Sequence, residues 1–151
     1  MKIQFIRSSE KKKILERLKE QFGIAELPYL LIESGKEKIR AFSGHLSKEE
    51  ILELKQNINI ETIGSYIIKK EFDSQLRLSF DATNLFKDQI KKNIIEINEI
   101  QTLEWLKGRD LPIVSPKGIS VIQNKSDYLG CGKSSGYSII NHVPKDRRLK
   151  K

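Results

Sequence analysis

The chain has 151 residues, 38% hydrophobic and 32% charged, with a formal net charge of +8. That is the size of one domain, or of two very small ones sharing an interface, with enough Ile, Leu, Val and Phe for a core, and it excludes long multi-domain schemes. No apolar run approaches the roughly 18 residues that cross a bilayer, and the single cysteine, Cys131, excludes an internal disulfide and a multi-cysteine zinc site. The expectation is a soluble, cytoplasmic protein with no membrane partner, metal or cofactor.

Met1–Arg7 alternates polar and apolar residues as a strand does, rather than forming a signal-peptide core. Lys11–Phe22 places Ile14, Leu15, Leu18 and Phe22 on one helical face, with Ser8 or Ser9 as N-cap and Gly23 as stop. Tyr29–Glu33 and Lys38–Phe42 are β-rich runs around Ser34-Gly35 and read as a hairpin. Ser47-Lys48-Glu49-Glu50 is a capping box that starts a short helix carrying Ile51, Leu52 and Leu54. A β-branched run from Ile60 to Ile68, a strand Leu76–Phe80 and a helix from about Ala82 to Ile90 complete a mixed α/β unit, residues 1–91.

Lys91-Lys92-Asn93 is polar and precedes a fresh strand, Ile94–Ile97, so the second unit is expected from residue 92 to 151. In it, Asn98–Lys107 reads as a helix that buries Ile100, Leu103 and Leu106 and stops at Gly108. Short strands and turns follow: Leu111–Val114, Ile119–Gln123, a turn at Asn124–Asp127, Tyr128-Leu129 and a Gly-rich stretch. This is the pattern of a small β-barrel, making the whole an α+β fold. About 60 residues bury too little surface alone, so this unit is expected to pack against the first.

Charge is unevenly placed. Residues 111–151 hold eight Lys/Arg against two acids, net +6, whereas the preceding 110 hold 20 against 18. Phosphate binding is the usual reason for such asymmetry, and a solubilising tail is the bland one. Gly130-Cys131-Gly132-Lys133-Ser134 is not a P-loop, because Asp127 stands where the motif needs glycine and no helix start follows. Cys131 has His142 and Lys133 as conceivable partners for nucleophilic chemistry, but reads first as a small semi-buried residue. His45 has no ligand cluster beside it.

Three segments carry a family likeness in order: Leu106-Lys107-Gly108-Arg109-Asp110-Leu111, then Leu129-Gly130-Cys131-Gly132-Lys133, then Asn141-His142-Val143-Pro144-Lys145-Asp146-Arg147-Arg148. Together they resemble the PUA-like C-terminal domain of Sun/Fmu-type rRNA cytosine-5 methyltransferases, and the module in stand-alone archaeal ribosome-biogenesis proteins of similar length. Leu76-Arg77-Leu78-Ser79-Phe80-Asp81-Ala82-Thr83 gives the first unit a likeness to the pre-PUA domain of Nip-type ribosome-biogenesis factors. The family has an aromatic residue where this chain has Cys131, so a stacking role at that position is not implied.

The resemblance implies binding of structured RNA, rRNA or tRNA, in ribosome biogenesis or RNA modification, with a separate RNA methyltransferase or a pre-ribosomal particle as partner. It does not imply catalysis, because no cofactor fold or second cysteine is present. The candidate RNA-binding residues are Lys133, Lys145, Arg147, Arg148, Gly130, Gly132, Arg109 and His142. The glycines would let a tight turn approach a phosphate, and Lys133, Arg147 and Arg148 would meet on one face. The alternative is a protein-interaction adaptor whose basic charge serves solubility.

Overall fold

A computed structural model describes residues 2–150. Met1 of the first expected strand and Lys151 of the basic tail lie outside the described residues. The fold is α+β, with four α-helices and two sheets among the described residues.

The first sheet is antiparallel, in the order β1 (Gln4–Phe5), β2 (Leu30–Ser34), β3 (Lys38–Phe42), β4 (Ser65–Lys70) and β5 (Leu76–Leu78). Helix α1 (Ser8–Phe22) lays Ile14, Leu18 and Phe22 on one face of it, against Leu31, Ile39, Ile68, Leu76 and Leu78. Gly23 ends α1, while the N-cap is Arg7 and makes no side-chain capping bond, so the serines begin the helix rather than precede it. Helix α2 (Lys48–Asn57) has the expected capping box between Ser47 and Glu50 and buries Ile51 with Ile3 and Ile32, on the sheet's other face.

Register between β3 and β4 slips once. Ile39 faces Ile68 and Arg40 faces Tyr66, leaving Ile67 as the extra residue of a bulge. Ser79 secures it: its N–H donates to the Ile67 carbonyl (2.8 Å) and its Oγ to the Tyr66 carbonyl (2.8 Å). The same Oγ accepts from the Ala82 N–H and so caps α3 (Phe80–Leu85). That cap sets the helix two residues earlier than the apolar spacing suggests, and the expected Ala82–Ile90 helix closes in turns after Leu85.

The second sheet runs β6 (Ile94–Glu96), β7 (Gly118–Asn124), β8 (Asp127–Ser134) and β9 (Ile139–Asn141), with β6 parallel to β7 and the others antiparallel. Leu111 adds a single bridge to Ile139. Among the described residues no strand pairing joins β6 to Leu111, so the hydrogen-bonded ladder is open where a barrel was expected. Helix α4 (Glu99–Leu106) is capped by Asn98 and Gln101. Of the face expected to be buried only Leu106 packs on the core: Ile100 is 76% and Leu103 53% exposed, while Trp105 is fully buried. The indole decides the orientation, because it has the largest apolar area to bury and its Nε1–H finds the Leu129 carbonyl at 2.8 Å.

One apolar core serves both sheets. Ile68, Leu76, Leu78, Ala82 and Phe86 pack in one cluster with Ile119, Val121, Tyr128 and Cys131 of β7 and β8. A smaller cluster holds Trp105 with Ile97, Leu111, Ile122, Leu129, Ile139 and Val143. Helix α3 is the seam between sheets, where Thr83 Oγ1 accepts from the Gly130 N–H (3.1 Å) and Asn84 Nδ2 donates to the Tyr128 carbonyl (3.2 Å).

Candidate nucleic-acid interface

The three motif segments meet around the C-terminal end of α4. Asn141 is the knot: its Nδ2 donates to the Trp105 carbonyl (2.8 Å) and the Arg109 carbonyl (2.9 Å), and its Oδ1 accepts from the Val143 N–H (2.8 Å). The Asn141 N–H donates to Asp110 Oδ1, and the Leu149 N–H donates to the Leu106 carbonyl. The basic tail is therefore fastened to the helix rather than trailing from it. Asn141, absent from the expected site, is the residue that positions it. A short polar side chain at the end of a strand, opening the third motif segment, is the signal that could have found it.

Gly130 and Gly132 do not form a turn. Both lie inside β8 and are buried, and a Cβ on Gly132 would stand 2.3 Å from Ile139 Cγ2 and 2.8 Å from the Trp105 ring. Glycine is required there for close packing, so the expected approach of these glycines to a phosphate is corrected.

The cations also separate. Lys133 pairs in register with Ile119, on the face of β8 shared with Cys131 and the larger core. Arg148 lies on the other side, against Gly108 after α4, with its Nε donating to the Val143 carbonyl at 3.0 Å. Arg147 is exposed; its Nη2 meets the Asp81 carboxylate at 2.8 Å and its guanidinium lies 5.9 Å from the Phe80 ring centre. Arg109 is paired with Glu104 at 2.6 Å, and Lys145 is exposed on the short 3-10 turn Lys145–Arg147. The expected single face of Lys133, Arg147 and Arg148 is thus divided between the two sides of β8.

His142 is half-buried and sits among Arg77, Glu71, Lys69 and Lys133. Burial first, then the Arg77 guanidinium, pushes its imidazole down to about 4 from an ordinary 6.5, so at neutral pH it is uncharged. Arg77 and Glu71 form a largely buried ion pair at 2.8 Å. Cys131 is buried, and burial pushes its thiol up to about 12 against the smaller opposing effects of the Leu78 backbone and Arg77. Such a thiol is not a nucleophile near pH 7. Among the described residues there is no cluster of metal-ligating side chains and no helix long and apolar enough to cross a membrane.

Residues 92–149 match the family described as the PUA domain of methyltransferase RsmF. That segment holds all of α4, the second sheet and the tail up to Leu149. The second unit is a PUA-like domain. A curated relative, ribosomal RNA small subunit methyltransferase F of Shewanella woodyi, is 36% identical over 59 residues, covering 37% of this chain and 12% of the relative. The chain thus shares with that methyltransferase a stretch about one eighth of the relative's length. Within the PUA-like domain, the Asn141 knot and the Gly132 packing account structurally for two of the three motifs.

Proposed function

We propose that the chain binds structured RNA, rRNA or tRNA, in rRNA modification or ribosome biogenesis, as a cytoplasmic protein without catalytic activity of its own. The observation that carries this reading is the PUA-like domain of residues 92–149, matched to a domain of an rRNA methyltransferase, together with net +6 in residues 111–151. Lys145, Arg147 and Arg109 from the expected set are exposed and Lys133 is partly so; Arg147 and Arg109 reach RNA by exchanging their surface partners Asp81 and Glu104. Residues 1–91 and 92–151 act as two units of one body, and the rRNA-modifying enzyme is a separate methyltransferase that the chain recruits. The inert state of Cys131 supports a role without catalysis.

Retention of rRNA on filters across a salt series tests this. Log affinity is expected to fall linearly with log salt, by about 0.7 to 0.9 for each phosphate neutralised. A flat response would replace this reading with that of an apolar protein adaptor.

A further inference from the structure

The face of the first sheet opposite α1, which α2 covers at Ile3 and Ile32, carries a row of like charges across β3, β4 and β5. Lys38 stands directly opposite Lys69, and Lys69 directly opposite Arg77, across β3, β4 and β5. Directly paired residues put their side chains on the same face, and like charges so placed destabilise a sheet. With strands about 4.8 Å apart, the three cations span about 10 Å. This face is not the one under α1, since the next residue, Lys70, reaches back to Glu10 of that helix at 3.1 Å.

Tyr66 is three residues from Lys69, and simple alternation would send it to the opposite side. The bulge at Ile67 restores it to the cationic face, where Lys38 Nζ lies 5.1 Å from the centre of its ring. The carboxylates on this face are Glu37, 3.7 Å from Lys69, and Glu71, paired with Arg77. Strand β8 of the PUA-like domain abuts β5, and His142, just after β9, feels the charges of Arg77, Glu71 and Lys69 from the first sheet and of Lys133 from β8. Cations flanking a partly exposed aromatic ring are the arrangement that tracks a phosphate backbone and stacks an unpaired base.

We propose that the outer face of β3 and β4, with Lys38, Tyr66 and Lys69, continues the Lys133 and His142 edge as one RNA-binding surface that seats an unpaired base on Tyr66. This rests on the RNA-binding reading above and extends it beyond the PUA-like domain. Lys38 and Lys69 hold the backbone beside the stacked base, while Arg77 stays in its ion pair with Glu71, and the surface thereby favours looped over fully paired RNA.

The test uses the full chain and two labelled probes of equal charge, an RNA hairpin with a purine loop and a blunt RNA duplex. Lys38→Ala with Lys69→Ala is expected to weaken hairpin binding tenfold or more and to reduce the salt slope by about 1.4 to 1.8. Lys12→Ala with Lys19→Ala, on exposed positions of α1, is expected to leave binding within about twofold. Tyr66→Leu should weaken the hairpin and spare the duplex, and Tyr66→Phe should bind as the parent does. If the first-sheet variants all bind like the parent while Lys133→Ala loses affinity, this surface is wrong and RNA binding by the PUA-like domain stands. Equal losses from both lysine pairs would show that net charge alone acts. No binding of either probe by the parent chain, or tighter binding of polyglutamate than of RNA, would overturn both readings.

Discussion

Arg148 lies across Gly108, so closely that a Cβ built on the glycine would stand 2.5 Å from Arg148 Nε. Gly108 has φ +88°, in the left-handed region, where an added side chain costs about 1–2 kcal/mol. Gly108→Ala must also displace the guanidinium from the Val143 carbonyl. We expect a loss of about 1–3 kcal/mol in urea unfolding. Arg148→Ala should cost about 1 kcal/mol through the lost hydrogen bond. A cation that served RNA alone would leave the unfolding midpoint unmoved.

Asn141→Ala removes three hydrogen bonds that join the tail, β9 and the end of α4. The Trp105 and Arg109 carbonyls then lose their side-chain donor, so about 2–3 kcal/mol is expected. Asn141→Asp should not rescue it, because an ionised carboxylate cannot donate to either carbonyl. Thermal unfolding of the two variants against the parent checks this.

His142 makes stability depend on pH. Its folded value of about 4 lies below the ordinary 6.5, so the unfolded chain takes up the proton first as pH falls. The native state keeps this advantage above about 6.5 and loses it progressively down to about 4. Solvent screening of this half-buried group reduces the linkage, so between pH 7 and pH 5 the expected loss is about 1 kcal/mol. His142→Gln should flatten that part of the profile, as read from urea midpoints at pH 7, 6 and 5.

Cys131 should resist iodoacetamide at pH 8 in the folded chain and react fully in denaturant, since burial holds its thiol near 12. Rapid labelling under native conditions would contradict its place in the core.

Much of the fold is legible from local chemistry. Ser47 and Glu50, Asn98 and Gln101, and the Leu30–Ser34 and Lys38–Phe42 hairpin each declare themselves within a few residues. The site was less legible, because its geometry depends on contacts far apart in sequence. Nothing near Ile67 announces a bulge, yet that one residue determines which face Tyr66 joins. Gly130 and Gly132 look like a turn until Phe80 and Trp105 are found against them. In helix α4 Leu106 packs on the core as its spacing predicts, but Ile100 and Leu103 do not, because the indole of Trp105 has more area to bury and a hydrogen bond to make.

The apolar cluster shared by the two sheets gives the chain a direction in time. During synthesis Leu76, Leu78, Ala82 and Phe86 leave the ribosome before Ile119, Val121, Tyr128 and Cys131, the residues that cover them. Until β8 arrives, the Thr83 hydroxyl and the Asn84 amide also lack their partners at Gly130 and Tyr128. The nascent first unit is thus a half-closed intermediate with a waiting apolar flank, vulnerable to aggregation and to holdase capture. A chain released after truncation between residues 91 and 118 would display that flank to the cell.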